Sequence, residues 1–309
     1  METAIGTGPG DGAAADHSGC NIPATQGRHG RRAGDTGGPA DRARSVRGRD
    51  PGMTVLVGTS GWQYKDWRGL LYPEDRPQRL WLEEYARQFA TVESNAAFYR
   101  LPEEKTFADW RDRTPEGFVI AVKASRYLTH IKRLRDPQEP VRRLLSHAAA
   151  LGPRLGPVLL QLPPTLHADA GLLDDCLACF PDGTRVAVEP RHDSWWTAEI
   201  RTVLERRGAA LCWADRCSRP VTPLWRTADW GYLRFHEGRA EPWPRYGRQA
   251  LTTWARRIAG TWPDRADVHT YFNNDPGGAA VLDAAAFAHA VSAAGRSVTR
   301  TPSARGAAP

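Results

Sequence analysis

The sequence predicts an α/β fold, a TIM-type (β/α)8 barrel in a single domain, and three observations point to it. Downstream of residue 52, eight short apolar runs alternate with segments in which apolar residues recur every three or four positions. These strand-then-helix units fill about 240 residues, which is the usual size of this barrel. The runs are apolar throughout, as strands are when both faces of a parallel sheet are covered.

An open doubly wound sheet is the alternative α/β architecture. Such sheets usually carry a glycine-rich dinucleotide-binding turn after the first strand. The corresponding stretch here is GTSGWQ (58–63), which does not match GxGxxG. The barrel is therefore the preferred prediction.

The predicted strands follow one another at regular intervals along the chain. They are VLVG (55–58), ATVES (90–94), FVIAVKA (118–124), PVLLQL (157–162), RVAVEP (185–190), AALCWAD (209–215), GYLRFH (231–236) and DVHTYFNN (267–274). Runs of this length, bounded by turn residues or by helix-period segments, are typical of strands.

The predicted helices lie between the strands and show apolar faces of helical period. The clearest faces are Leu82, Tyr85 and Phe89; Val141, Leu144, Leu145 and Ala148; Ile200, Val203 and Leu204; and Leu251, Trp254 and Ile258. Several of these segments end on glycine, at Gly152, Gly208 and Gly260, where a left-handed cap has the lowest steric cost.

The two ends of the chain differ from the middle. Residues 1–52 are rich in Gly, Ala, Arg, Asp and Thr and have almost no apolar periodicity, so we predict a disordered extension and regard Met53 as an alternative start. We predict a disordered tail over 296–309, which leaves 53–295 as the barrel domain. With no apolar signal run and no apolar window of membrane-spanning length, we expect a cytoplasmic protein without a membrane partner.

The net charge of +7 belongs mostly to these ends, because the residues between them carry a net charge of +3. The basic pI is therefore weak evidence for a nucleic-acid partner. Only four of the 42 basic residues are lysines. A retained lysine is informative in such a chain, because a guanidinium cannot readily replace an amine that must lose a proton.

Polar side chains end nearly every predicted strand. The carboxyl-terminal ends of the strands of a parallel barrel surround one cavity, and active sites lie there. The residues at these ends are Ser60, Gly61, Trp62, Glu93, Asn95, Lys123, Gln161, Glu189, Arg191, Asp215, Arg234, His236, Asn273, Asn274 and Asp275.

The carboxylates and the histidine among them predict acid–base chemistry. Crowded carboxylates raise one another's pKa and neighbouring cations lower it, so such a set can hold a protonated acid beside an ionised base. We expect Glu189 to be the principal catalytic acid or base, with Asp215 and His236 as partners. Glu93 and Lys123 complete the catalytic candidates. The alternative is a salt-bridge scaffold without catalysis.

Two further questions concern the same residues. Lys123 stands where several barrel enzymes place a Schiff-base or proton-transfer lysine, but it could equally be a charge partner of Glu93. The carboxylates and His236 could also ligate a divalent cation. Because no HxH or HExxH spacing accompanies them, the sequence leaves the metal, and any other cofactor, undetermined.

Aromatic residues cluster in the loops that follow the strands. Flat rings at the mouth of a cleft stack on sugar rings or unpaired bases. Trp62 and Trp195 each follow a strand end closely, so we expect them to wall the ligand site, although such rings can also pack beneath loops. The predicted ligand-binding residues are Trp62, Tyr64, Asn95, Tyr99, Gln161, Arg191, Trp195, Arg234, Asn273 and Asn274.

The turn after the last predicted strand suggests an anion site. In FNNDPGGAA (272–280), two glycines precede an alanine-rich helix. Exposed amides at a helix N-terminus favour phosphate or carboxylate groups, and the last loops of this barrel are its usual phosphate position. An ordinary helix start with a tight turn is the alternative.

Seven segments together resemble the domain-of-unknown-function 72 family. They are GTSGWQYKDWRG (58–69) followed by LYP, TVESNAAFYRLP (91–102), VKASRYLTH (122–130), LGPVLLQLPP (155–164), VEPRHDSWW (188–196), LRFH (233–236) and YFNNDPGGAA (271–280). The resemblance is collinear over roughly 55–293. It implies a TIM-type barrel and implies no established reaction. Pro190 and Glu237 depart from residues common in the family and affect the rim.

These features predict an enzyme that performs acid–base chemistry, a hydrolysis or an isomerisation, on a phosphorylated or sugar-containing ligand, nucleotides included. Lys123 and Arg191 would stabilise charge there. A non-catalytic barrel that binds nucleic acid is the alternative, because basic and aromatic residues at the same rim could grip a backbone and its bases. The sequence does not predict an oligomeric state.

Overall fold

The structure is a computed structural model that describes residues 54–302. It shows an α/β protein with parallel sheets. Its strands are β1 (Val55–Thr59), β2 (Thr91–Ser94), β3 (Val119–Lys123), β4 (Leu155–Gln161), β5 (Val186–Glu189), β6 (Ala210–Leu211), β7 (Trp213–Arg216), β8 (Arg219–Pro220), β9 (Gly231–Phe235) and β10 (Val268–Phe272). Its helices are α1 (Trp81–Gln88), α2 (Ala96–Tyr99), α3 (Glu104–Asp112), α4 (Gln138–Ala148), α5 (Ala170–Ala178), α6 (Ala198–Arg206), α7 (Arg248–Thr261) and α8 (Ala279–Ala293). Each predicted apolar run coincides with a strand, and the sixth run is divided between β6 and β7.

The helices begin and end where local chemistry favours it. The side chain of Asp169 accepts a hydrogen bond from the amide of Leu172 and caps α5, and Thr197 caps α6 in the same way through Ile200. Gly208 follows α6 with a φ of 60°, as predicted for a glycine stop. Gly260 lies inside α7 and does not end it.

The strands form two five-stranded sheets. One has the order β1-β10-β9-β7-β8, and the other has the order β2-β3-β4-β5-β6. Neighbouring strands are parallel, except that β7 and β8 form a short antiparallel hairpin. The parallel pairs place the carboxyl ends of their strands at the same edge of each sheet.

The two sheets meet at both of their edges. Cys212 lies between β6 and β7, and its amide donates to the Val188 carbonyl at 2.8 Å, so the chain continues from one sheet into the other. At the opposite edges, Ser60 and Glu93 form a parallel bridge, and the amide of Gly61 donates to the Glu93 carbonyl at 2.8 Å. The carboxyl ends of β1 and β2 are therefore joined.

The buried apolar residues lie in two regions. The larger region lies between the helices and the strands. The smaller one contains alternate strand residues from both sheets, including Ala121, Leu159 and Tyr271. We call the strand face that carries this smaller region the inner face. Tyr232 belongs to it, whereas its neighbour Leu233 packs among the residues under the helices.

Residues 296–302 correct the predicted start of the C-terminal tail. The guanidinium of Arg296 is buried and donates to the carbonyls of Trp262 and Ala266 at 2.7 and 2.8 Å. Val298 forms a parallel bridge with Val55. These bonds anchor the chain beyond residue 295. The predicted extension over 1–52 and residues 303–309 lie outside the described part of the chain.

Over residues 54–302, no helix is both long and apolar enough to cross a bilayer.

Candidate active site

A buried cluster of charges lies at the carboxyl ends of three strands. Arg234, on β9, donates to Glu93 of β2 at 2.9 Å and to Glu189 of β5 at 2.6 Å. All three side chains are almost completely buried. Arg234 lies two positions after Tyr232, so both side chains share the inner face. We call Glu93, Arg234 and Glu189 the ion cluster.

Two hydroxyl groups also donate to Glu93, one to each carboxylate oxygen. The hydroxyl of Tyr232 donates to Oε2 of Glu93 at 2.6 Å, and that of Ser60 donates to Oε1 at 2.5 Å. Glu93 therefore accepts three hydrogen bonds, one of them from Arg234. Charged groups that are buried this deeply persist only when they are paired and hydrogen-bonded in this way.

His236 completes the cluster on the side of Glu189. Its Nε2 lies 2.8 Å from Oε1 of Glu189, and its Nδ1 lies 3.2 Å from the amide nitrogen of Asn273. Because an amide nitrogen can only donate, Nδ1 accepts and Nε2 carries the proton. Both ring nitrogens of His236 are thus engaged.

The protonation states of this cluster follow from burial and charge. Burial alone would raise the pKa of Glu189, but Arg234, Arg191 and His236 hold that pKa well below 4.5. Burial lowers the pKa of His236 to about 4, since the attraction of Glu189 does not compensate for it. At neutral pH, Glu189 is therefore a carboxylate and His236 is a neutral imidazole.

Lys123 lies beside the ion cluster and differs from its members. Its side chain is 9% exposed, and Nζ lies 4.0 Å from the centre of the Phe98 ring. Among the described residues, Nζ has no hydrogen-bond acceptor and no ion-pair partner. Burial, followed by the charge of Arg234, lowers the pKa of Lys123 from 10.5 to about 7, although Glu93 and Glu189 oppose this shift.

The surroundings of Lys123 open toward solvent. The ring of Phe98 contacts His130 and Tyr99, each with 5.1 Å between ring centres, and Tyr99 is 71% exposed. Burial, with Lys123 as the next cause, lowers the pKa of His130 to about 4. Arg191 has a one-third exposed side chain and lies 3.4 Å from Glu189. The mouth of the site thus combines aromatic rings with a loosely held guanidinium.

Asp275 is a second group with an unusual pKa. Its Oδ1 is buried and has no hydrogen-bond partner in the part of the chain that the structure describes. Burial raises the pKa of Asp275 to about 8, although Tyr64 and Arg234 lower it. The hydroxyl of Tyr64 also donates to the Ser60 carbonyl at 2.6 Å. At neutral pH, Asp275 is therefore largely a protonated carboxylic acid.

The structure corrects the prediction for Asp215, which does not join Glu189 and His236. Ala214 pairs in register with Arg234, so the next residue points to the opposite face, toward α7. There Oδ2 of Asp215 accepts a hydrogen bond from the indole of Trp254 at 2.6 Å. Burial raises the pKa of Asp215 to about 6.

The structure also corrects the prediction for Trp62 and Trp195 as ligand-facing walls. Trp62 is buried edge-on against Trp110 of α3, with 5.2 Å between ring centres. Trp195 is buried, and its indole donates to the Leu166 carbonyl at 2.8 Å. Both rings pack beneath loops, because rings of this size anchor loop backbone when they are covered.

Three other predicted ligand-binding residues take different positions. Gln161 is buried, and its amide donates to the Leu162 carbonyl at 3.2 Å. Asn95 precedes α2, and its Oδ1 is buried without a partner among the described residues. Tyr99 stands exposed at the mouth of the site.

Internal contacts occupy much of the turn after β10, where the sequence predicts an anion site. The side-chain nitrogen of Asn274 donates to the Pro244 carbonyl and to Asp283 at 2.9 and 2.8 Å. A side-chain atom on Gly277 would lie only 2.3 Å from Trp243, so this ring covers the turn. The acid of Asp275 lies in the same turn. Asn273 contacts the ion cluster through His236.

The described residues do not form a metal centre. No group of three or more His, Cys, Asp or Glu side chains within 54–302 is arranged to hold a metal ion. Glu93 and Glu189 have the charge needed for such a site, but Arg234 stands between them. The divalent cation that the sequence left open therefore finds no such ligand set in this part of the chain.

A cavity of about 1010 Å³ lies away from the ion cluster. It is lined by residues at or before the starts of the strands, among them Leu56, Val119 and His269. The polar residues Arg185 and Asp267 in its lining already pair with each other at 2.8 Å. We place the candidate chemistry at the ion cluster, where unusual pKa values and an unpaired amine coincide.

Some residues of the site were not predicted from the sequence. Tyr232 could have been found, since it lies two positions before Arg234 and strand side chains alternate. Ser60 and Asp275 were recognised only as strand ends. Phe98 is one of the aromatic residues that follow the strands, but the sequence did not indicate its contact with Lys123. His130 had no signal in the sequence.

Comparisons with known proteins agree with this description. A family model described as "Protein of unknown function DUF72" matches residues 56–307. The UPF0759 protein YecE of Escherichia coli K12 is 31% identical over 173 residues, which are 54% of this chain and 60% of YecE. The match thus spans less than two thirds of that relative.

Solved structures show the same fold. A DUF72 family protein from Thermotoga maritima MSB8 has a TM-score of 0.68 and 26% identity, covering 77% of this chain and 99% of its own. Another DUF72 family protein, from Enterococcus faecalis V583, has a TM-score of 0.66 and 21% identity, covering 77% of this chain and 95% of its own.

Proposed function

The chain belongs to the DUF72 family, a family of unknown function, and from this premise we propose that it is an enzyme. In this proposal, the residues around the ion cluster perform acid–base chemistry, a hydrolysis or an isomerisation. The ligand is a small phosphorylated or sugar-containing molecule, nucleotides included. Lys123 is the group that takes up and releases the proton.

The proposal includes a closed (β/α)8 barrel as the scaffold. Cys212 continues one sheet into the other, and the bridge between Ser60 and Glu93 joins the remaining edges. Closure would turn the inner faces of both sheets toward a common axis. The ion cluster would then lie at the carboxyl-terminal mouth, where barrel enzymes carry their active sites.

The observation that carries the proposal is the position of Lys123. The oxygens of Glu93 and Glu189 accept hydrogen bonds from hydroxyl, imidazole or guanidinium donors, and both nitrogens of His236 are occupied. Lys123 has no such partner within the described residues, and its pKa is close to neutral. A general base works best when its pKa lies near the operating pH. The proposal therefore moves the proton-transfer role from Glu189 to Lys123.

The charge of the site supports an anionic ligand. Two carboxylates are balanced by Arg234 and Arg191, and protonation of Lys123 adds a positive charge that a phosphate would neutralise. Arg191 is the best placed to bind it, because its side chain is partly exposed and its bond to Glu189 is long, at 3.4 Å. The exposed ring of Tyr99 supports stacking of a sugar or a base.

A ligand screen followed by a turnover assay tests the proposal. Sugar phosphates, their unphosphorylated counterparts and nucleotides are added to the full chain, and a rise in melting temperature identifies a ligand. We expect Lys123→Met to retain binding of that ligand but to lose about 100-fold or more in turnover. Lys105→Met, on the exposed face of α3, is the control. Unchanged turnover in Lys123→Met would refute the role of Lys123.

A specific surface favours the second candidate function, nucleic-acid binding. Residues 126–135 contain four Lys or Arg and no acidic residue. Tyr127, in this segment, and Tyr99, at the end of α2, are both exposed. Binding of a single-stranded oligonucleotide that weakens steeply with salt, without any turnover, would favour this candidate over the enzyme.

A further inference from the structure

We propose that the Nζ of Lys123 forms an imine with a carbonyl carbon of the substrate, which makes the substrate an aldehyde or a ketone that also carries an anionic group. This inference rests on the proposed enzyme function and specifies its substrate class. It is carried by the contacts of Lys123 and by the hydrogen bonds that already engage Glu93, Glu189 and His236.

The first step of the argument is the availability of the Lys123 lone pair. An amine attacks a carbonyl only when it is unprotonated and not held by an acceptor. Within residues 54–302, Nζ has no acceptor, and its side chain retains 9% exposure. Burial further favours the neutral amine by lowering its pKa to about 7. A lysine that served only as an ion-pair partner of Glu93 would donate to that carboxylate, and it does not.

The second step is the fit of the site to an iminium ion. Nζ lies 4.0 Å from the centre of the Phe98 ring, whose face attracts a cation. The negative charges of Glu93 and Glu189 act on the same nitrogen. Both carboxylates are held by Arg234, and neither accepts a hydrogen bond from Nζ that would fix it as an ammonium ion. An iminium at Nζ would therefore be stabilised where it forms.

The covalent step balances without any further reagent. The Nζ lone pair forms a bond to the carbonyl carbon, and the C=O π pair moves to oxygen, which takes up the proton that nitrogen releases. The nitrogen lone pair then forms the C=N bond as hydroxide leaves, which gives an iminium ion. The iminium N–H proton passes to the hydroxide, which gives the imine and water. The sum is amine plus carbonyl compound giving imine plus water, and no oxidation or reduction occurs.

The anionic group of the substrate is assigned to Arg191. This guanidinium follows β5 directly, is one-third exposed, and acts on the pKa of Lys123 through its charge. Within residues 54–302, its guanidinium makes one hydrogen bond, the 3.4 Å contact with Glu189. An arginine held this weakly can turn its donors to a phosphate or carboxylate. A phosphorylated ketose in its open form has both required groups.

Reductive trapping tests the inference. The full chain is incubated at pH 7 with dihydroxyacetone phosphate, with unphosphorylated dihydroxyacetone, or with glyoxylate, and imines are reduced with cyanoborohydride. Peptide mass spectrometry then measures the adduct on each of the four lysines. The neutral fraction at pH 7 is about a thousand-fold larger for an amine with a pKa near 7 than for an ordinary lysine.

We therefore expect at least about ten-fold more adduct on Lys123 than on exposed Lys105. We also expect more adduct from the phosphorylated than from the unphosphorylated ketone, and Arg191→Gln should remove that preference. Lys123→Arg, checked for folding by its melting temperature, should lose the adduct. Equal or greater labelling of Lys65 and Lys105 with all three carbonyl compounds would overturn the inference.

A second labelling experiment separates this inference from the proposed function. Acetic anhydride acetylates only neutral amines, so the acetylation of Lys123 as a function of pH reports its titration. If Lys123 titrates near neutral pH but no imine is trapped, the imine is refuted, whereas the proposed proton transfer by Lys123 is not. Titration near 10 would refute both.

Discussion

The side chain of Lys123 makes the stability of the protein depend on pH. Its pKa falls from 10.5 to about 7 on folding, mainly through burial. Between these values the unfolded chain holds a proton that the folded chain has released, so the free energy of unfolding rises with pH through this window. Below pH 7 both states are protonated, and the cost of burying the ammonium is fully present.

Lys123→Met should therefore stabilise the protein in mild acid. Methionine has a similar length and no charge, and it can pack on Phe98. We expect the variant to be more stable than the wild type by about 1–3 kcal/mol at pH 6, with the difference shrinking toward pH 10. Urea denaturation at both pH values measures this, with Lys105→Met as control. A variant that is less stable at pH 6 would show that Lys123 is a stabilising ion-pair partner.

Asp215→Asn distinguishes a buried structural acid from a catalytic one. Burial raises the pKa of Asp215 from 3.8 to about 6, so the folded state keeps a proton that the unfolded state loses, and stability falls as pH rises from about 4 to 6. Asparagine can still accept from Trp254 and removes this cost. We expect a gain of about 1–2 kcal/mol at pH 8 and none at pH 3.5. Ligand-induced shifts of melting temperature should be unchanged in this variant. Their loss would show that Asp215 takes part in ligand binding.

The residues of the site differ in how far sequence can predict them. Four polar residues at the ends of apolar runs could be predicted to lie at one edge of the sheets: Glu93, Glu189, Arg234 and His236. Asp215 has the same pattern but faces α7, because one position along a strand reverses the face. That reversal depends on register, which an apolar run alone does not specify.

At the scale of elements, the seam between β1 and β2 depends on Gly58. A side-chain atom at this position would lie 2.3 Å from the backbone carbonyl oxygen of Thr91, and backbone cannot move aside cheaply. We expect Gly58→Ala to lower the free energy of unfolding by about 2–4 kcal/mol. Gly260→Ala in α7, where no atom lies within 4 Å, should be neutral or slightly stabilising. Equal effects in chemical denaturation would contradict a tight seam.

Strands and helices were predictable as elements, whereas loops were not. Burial on both faces requires apolar runs, and helix faces require a period of 3.6 residues, so both leave a direct trace in the sequence. The loops carry no comparable pattern. The sequence of the turn at Gly277 resembles an anion site, but the ring of Trp243 packs against this turn. The positions of Trp62 and Trp195 in the sequence resemble those of site walls, but both rings are buried. Long-range packing decides such positions.

At the scale of the whole molecule, the ion cluster links the two sheets. Glu93 and Glu189 belong to one sheet and Arg234 to the other. Removing one of the two carboxylate charges leaves the buried guanidinium of Arg234 with a single negative partner, and an incompletely paired buried charge is strongly destabilising. We expect Glu189→Gln to cost about 3 kcal/mol.

An exposed ion pair offers the matched control. Glu205 pairs with Arg201 on the surface of α6 at 2.8 Å. We expect Glu205→Gln to change the free energy of unfolding by less than about 0.5 kcal/mol, because exposed pairs contribute little. If Glu189→Gln were as harmless as this control, the ion cluster would not hold the sheets together.

Direct titration of Lys123 tests the central claim, that this amine is neutral in the folded protein near physiological pH. The chain contains four lysines, so a sample labelled with nitrogen-15 at the lysine side chains should give few, separable signals. We predict that one Nζ signal titrates near pH 7 and that it disappears in Lys123→Arg. A Lys123 signal that titrates near 10, the ordinary value of a lysine, would contradict the account.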